Sequence, residues 1–132
     1  MSTKTKRSIG WVLAGLIAVL MLMSAFGKLV PNDELKAGLA GGKVTLETMR
    51  NIGIVELLCV ILFLIPRTGI VGTLLLCGYL GGAIYAHLAM GDPGGVSTPI
   101  LVSAAVWISS ALRFPELSAR LFGGSLTRAE RA

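Results

Sequence analysis

Residues Ile52–Ile65 read IGIVELLCVILFLI, an apolar run interrupted once, by Glu56. The run reads as a membrane span. A carboxyl group in hydrocarbon costs roughly 2.5–3.5 kcal/mol on insertion scales. A chain carries that cost mainly when the group faces a protein interior and has a partner or a task. Glu56 therefore points both to the fold and to where function should be sought.

Three further apolar segments surround it: Ile9–Leu29, Gly69–Ala89 and Pro99–Phe114. The first and third of the four approach the ~20 residues that cross hydrocarbon. The shorter two lean on flanking Arg50, Asn51 and Arg113, since bilayer thinning and snorkelling accommodate short spans. Of the 132 residues, 54% are hydrophobic and 14% charged, with mean hydropathy +0.79. An ordinary soluble domain is less apolar and more charged. The expectation is one all-α domain over residues 1–132. It is an integral membrane four-helix bundle with spans at about 9–29, 51–66, 69–89 and 99–114. Lys4, Lys6 and Arg7 before the first segment also fit a signal peptide, but its apolar stretch is longer than a usual h-region and three spans follow.

Eight of the twelve basic residues, Lys4, Lys6, Arg7, Arg67, Arg113, Arg120, Arg128 and Arg131, fall on one side of that topology. Lys28, Lys36, Lys43 and Arg50 fall on the other. The asymmetry predicts a multi-pass protein with both termini in the cytoplasm. The pI of about 9.7 reflects these flanks. The interleaved aromatics and basic face of a nucleic-acid binder are lacking.

The long loop Val30–Arg50 predicts a short amphipathic helix on the outer side. Asn32 caps it, Asp33 and Glu34 fill its first turn, Leu35 and Leu39 share a face, and Gly41–Gly42 follow its end. Thr45 is the expected cap of the second span. Pro66-Arg67-Thr68 makes a tight hairpin, and Asp92-Pro93-Gly94-Gly95 a turn. After Pro115, the stretch with Leu117, Arg120, Leu121 and Phe122 fits the inner surface. Gly78 and Gly82 form a small-xxx-small face, as do Gly10, Ala14 and Ala18. Helix packing is the ordinary use of such stripes.

Counted from Asn51, Glu56 lies about five residues deep, or ~7–8 Å. Lys28 ends the first span and His87 nears the end of the third, so the topology places Lys28, Glu56 and His87 in the outer half of the membrane. Ser24 shares the Lys28 face, and Arg50, Tyr85 and Asp92 stand near the same level. Taken singly, Lys28 fits a snorkelling helix end and His87 a satisfied structural histidine. Together with Glu56 they form a candidate site for a polar headgroup, such as a quinone carbonyl, or for a proton relay. The bland alternative is an ion-pair network pinning three helices. Cys59 and Cys77 lie at similar depth on neighbouring helices, so a reversible thiol pair is conceivable, although buried cysteine is usually an inert hydrophobe. No metal, haem, nucleotide or nucleophile-elbow pattern occurs.

Three pieces of the chain resemble the DoxX-like family. They are Ser24-Ala25-Phe26-Gly27-Lys28-Leu29, Ile52–Leu58 followed by Leu64-Ile65-Pro66-Arg67-Thr68, and Tyr79-Leu80-Gly81-Gly82-Ala83 followed by Ala86-His87-Leu88. The resemblance covers roughly residues 9–115 and leaves out the tails. It implies a small four-helix membrane protein with Lys28, Glu56 and His87 as its polar positions. It also implies links to membrane redox work: quinone-coupled thiosulfate oxidation, oxidative-stress complexes and disulfide formation. Other relatives act as assembly factors or cargo receptors. The expected function is binding of a small amphipathic ligand of quinone type in support of membrane redox metabolism, with no independent enzymatic activity assigned. The alternative is a non-catalytic subunit of a membrane redox complex, or a homo-oligomer, contacting other chains through Gly78 and Gly82.

Overall fold

The computed structural model describes residues 1–40, 42, 44–128 and 130–131. Gly41, expected to help end the short loop helix, and Lys43, expected among the outer basic residues, lie outside the described residues. The described chain is helical and holds no strand: α1 Thr3–Leu29, α2 Asp33–Leu39, α3 Leu46–Leu64, α4 Gly69–Ala89, α5 Ser97–Arg113 and α6 Pro115–Phe122. A 3-10 turn, Pro93–Val96, leads into α5.

Local chemistry sets the boundaries. The Ser2 hydroxyl accepts from Thr5 N–H at 3.2 Å, Asn32 Oδ1 from Leu35 N–H at 2.8 Å, and the Thr45 hydroxyl from Thr48 N–H at 3.1 Å. Each satisfies an orphan donor of a first turn. At the far end of α3, Thr68 Oγ1 donates to Leu62 O at 2.9 Å and Arg113 Nη1 to Phe63 O at 3.0 Å. These bonds occupy carbonyls that the helix end leaves free. α6 opens on Pro115 and stops at Gly123, whose φ of 70° suits glycine.

Three segments are long and apolar enough to cross a membrane: Thr3–Leu29, Gly69–Ala89 and Pro93–Arg113. The expected second span, α3, stands apart from these three by its charge, not by a less apolar sequence. α3 has 19 residues but starts at Leu46, five residues before Asn51, and so takes in Glu47 and Arg50 as well as Glu56.

α1 packs against α3 and α5, and α4 packs against the same two helices. The core between them holds Ala14, Ile17, Ala18, Met21, Val60, Phe63, Leu76, Leu80 and Val106. Large apolar side chains point outward instead: Val12, Leu16, Met23, Leu58, Leu74, Leu101 and Ile108 are exposed. Helices that are apolar on both their inner and their outer faces are the pattern of a bundle in lipid. Hydroxyls stitch the bundle: Ser109 Oγ donates to Gly10 O at 2.8 Å, and Thr73 and Ser110 share a hydrogen bond of 2.6 Å.

The closest helix approaches fall on glycines. A Cβ on Gly10 would stand 2.8 Å from Arg113 Cγ, and one on Gly53 3.0 Å from Lys28 Cβ. One on Gly72 would strike the Leu62–Phe63 backbone. The Gly10, Ala14 and Ala18 stripe is buried as expected. Gly78 and Gly82 are different: both are exposed, and nothing lies within 4 Å of an added Cβ at either. Within the chain, α4 makes its close approach through Gly72.

Candidate functional site

Glu56 is fully buried, with 0% exposure. α3 carries it ten residues past Leu46, about 15 Å along the axis. Its Oε2 accepts two hydrogen bonds, from Lys28 Nζ at 2.8 Å and from Tyr79 OH at 2.8 Å. Lys28 reaches in from the last turn of α1, and its Nζ also donates to Ser24 Oγ at 2.6 Å. The ammonium lies 6.0 Å from the centre of the Tyr79 ring, within reach of its π face. Gly53 permits this reach, because its missing side chain lets α3 press against Lys28 Cβ.

The other oxygen, Glu56 Oε1, is buried and has no hydrogen-bond partner among the described residues. A carboxylate oxygen left bare in a low-dielectric interior is costly. The geometry therefore leaves one acceptor position open beside a satisfied one. A continuous chain of hydrogen bonds runs from Tyr79 through Glu56 and Lys28 to the exposed Ser24.

His87 stands elsewhere. Its Nδ1 pairs with Asp92 Oδ2 at 3.0 Å, and Asp92 Oδ1 accepts from Gly95 N–H at 3.1 Å. This unit ties the end of α4 to the 3-10 turn. The reason is helical register. Because α3 begins at Leu46, Glu56 is deeper than a count from Asn51 implies, and Tyr79 stands level with it on α4. His87 follows two turns later, ~12 Å further along. Of the remaining expected residues, Arg50 and Tyr85 are exposed, whereas Ser24 belongs to the hydrogen-bonded chain. Cys59 and Cys77 are free thiols; Cys59 is buried within the core, Cys77 packs against it, and Ser103 Oγ donates to Cys77 Sγ at 3.8 Å. In α2, Leu35 and Leu39 are half-buried and no residue is fully buried.

Two polar side chains carry more than their sequence positions announce. Tyr79 supplies the second donor to Glu56. Its signal was a hydroxyl in the middle of an apolar run, which needs a partner when buried. Arg113 is 2% exposed although it stands at the end of its helix.

Comparison with known proteins bears on these residues. The model of the DoxX-like family matches residues 12–109, from early α1 almost to the end of α5, and so includes Lys28, Glu56, Tyr79 and His87. No curated protein and no solved structure matches the chain.

Proposed function

The chain belongs to the DoxX-like family and is a multi-pass membrane protein, and from that premise we propose a ligand site at Glu56. In this reading α1, α3, α4 and α5 form a four-helix bundle in a bacterial inner membrane, with both termini in the cytoplasm. Glu56, Lys28 and Tyr79 hold the polar head of a small amphipathic molecule that enters from the lipid. The site serves membrane redox metabolism.

The unpartnered Oε1 of Glu56 carries the reading. An ionised carboxylate only accepts hydrogen bonds, so the group it takes must donate. A quinol hydroxyl fits that position better than the quinone carbonyl expected from sequence, which needs a donor in its place. Lys28 and Tyr79, both donating to Oε2, would hold the carboxylate in place while Oε1 accepts from such a hydroxyl. His87, with Asp92, then acts at the outer turn rather than at the ligand.

Replacing Glu56 with Gln preserves shape and removes the charge. Binding of a short-chain quinol to purified protein should weaken about tenfold, the worth of a hydrogen bond to a charged group. Unchanged quinol affinity in a folded Glu56→Gln protein would sink the proposal. A second reading, a non-catalytic subunit, draws on the open space around Gly78 and Gly82. Co-purification of a stoichiometric partner, lost on Gly82→Leu, would favour it.

A further inference from the structure

Arg113 is the second buried charge, and the Glu56 site does not use it. Its Nη1 donates to Phe63 O at 3.0 Å. Its Nε and Nη2 are buried without a hydrogen-bond partner among the described residues. These two nitrogens form one edge of the planar guanidinium, with their N–H bonds side by side. That edge matches two oxygens of a phosphate or carboxylate. The rings of Phe63, Trp11 and Phe114 stand 4.2, 4.8 and 4.8 Å from the guanidinium carbon. They attract the charge through their π faces, but none offers the oxygen that the free edge is shaped for.

Arg113, Trp11 and Phe114 line a cleft of about 560 Å³ together with Arg7 and Arg131. Glu116 and Glu130 also line it. Neither forms an ion pair with Arg113, and Glu130 instead accepts from Thr127 N–H at 2.8 Å. Among the described lining residues, three arginines stand against two glutamates and leave the balance positive. It opens where α1 begins and α5 ends, the end of the bundle that carries most of the basic residues. Membrane phosphates concentrate at such an end, and basic pockets between helix ends take anionic headgroups. Arg7, Trp11, Arg113, Phe114 and Arg131 all fall outside the family match to residues 12–109.

We propose that this cleft binds a phosphate group, gripped by the Nε–Nη2 edge of Arg113, with Arg7 and Arg131 as outer cations. The phosphate belongs either to an anionic lipid headgroup or to a free phosphate ester. The proposal is independent of any ligand at Glu56.

The test uses the full chain in a neutral detergent, read by native mass spectrometry and thermal unfolding. The probes are phosphatidylglycerol, a galactolipid of matched acyl chains that lacks phosphate, and inorganic phosphate against chloride at equal ionic strength. Phosphatidylglycerol should be retained about tenfold over the galactolipid. Arg113→Lys keeps the charge and loses the fork, so that preference should vanish. Stabilisation by inorganic phosphate without a lipid preference, lost in the same variant, assigns the free-ester source. Arg7→Gln leaves the Phe63 carbonyl bond intact and should weaken binding about threefold. The proposal is overturned if the wild type shows neither a lipid preference nor a phosphate effect. It is also overturned if binding is unchanged in every variant that folds.

Discussion

Glu56 and Arg113 are both buried, and α1 touches both, through Lys28 in its last turn and Trp11 in its third. About 25 Å of helix separates those two contacts. At one end the charge meets an opposite charge and a hydroxyl. At the other it meets one carbonyl and three aromatic faces. The chemistry of the two groups explains the contrast. A carboxylate can be satisfied only by donors, so its neighbours must be Lys and Tyr. A guanidinium is broad and weakly hydrated, and it tolerates rings. Each end also depends on a glycine of the adjoining helix: Gly53 backs Lys28, and Gly10 backs Arg113.

The largest expected effect tests whether the ends differ in energy as they do in geometry. Lys28→Met strands a buried carboxylate and should cost about 3–5 kcal/mol. Arg113→Met removes a charge that has no counter-ion among the described residues, together with one hydrogen bond, and should cost about 1 kcal/mol. Thermal unfolding in detergent measures both, and equal losses would erase the distinction. Tyr79→Phe comes next, at about 1.5–3 kcal/mol, since its bond is to a charged group. Combined with Lys28→Met, it should depart from additivity by at least ~0.5 kcal/mol, because both donors serve Oε2. Strict additivity would mean that the two donors act separately.

Gly53→Ala and Gly10→Ala should each cost about 1–3 kcal/mol by forcing helices apart. Gly82→Ala, with open space beside it, should stay within ~0.5 kcal/mol. A loss at Gly82 as large as at Gly53 would imply that α4 is covered by another chain. The smallest effect belongs to His87→Ala, within about 0.5 kcal/mol, because its pair with Asp92 is open to solvent. A loss near that of Lys28→Met would return His87 to the Glu56 network.

What could be read in advance was local. The apolar runs, the Asn32 and Thr45 caps and the Pro66-Arg67-Thr68 turn depend on neighbours a few residues away. Glu56 stood out because it alone interrupted its run, and Lys28 because it ended another. Tyr79 was hidden by register across helices. Starting α3 at Leu46 instead of Asn51 shifts the level of Glu56 by more than a helical turn, which brings Tyr79 opposite it and leaves His87 beyond reach. Arg113 was hidden differently. An arginine closing an apolar span looks the same whether it snorkels or is buried. Its burial is decided by Gly10 and Trp11, a hundred positions earlier in the chain.

The bond from Arg113 to Phe63 O spans fifty residues and has a consequence for biosynthesis. A chain made from its N-terminus delivers α3 and the Pro66–Thr68 turn well before Arg113 exists. Until the end of α5 arrives, the Phe63 carbonyl lacks its arginine, while Thr68 is already in place at Leu62 O. The end of α5 therefore acts as the latch of a hairpin inserted earlier. Nascent chains halted before Arg113 should be cleaved by protease at the Pro66–Thr68 turn, and chains extended past Phe114 should resist.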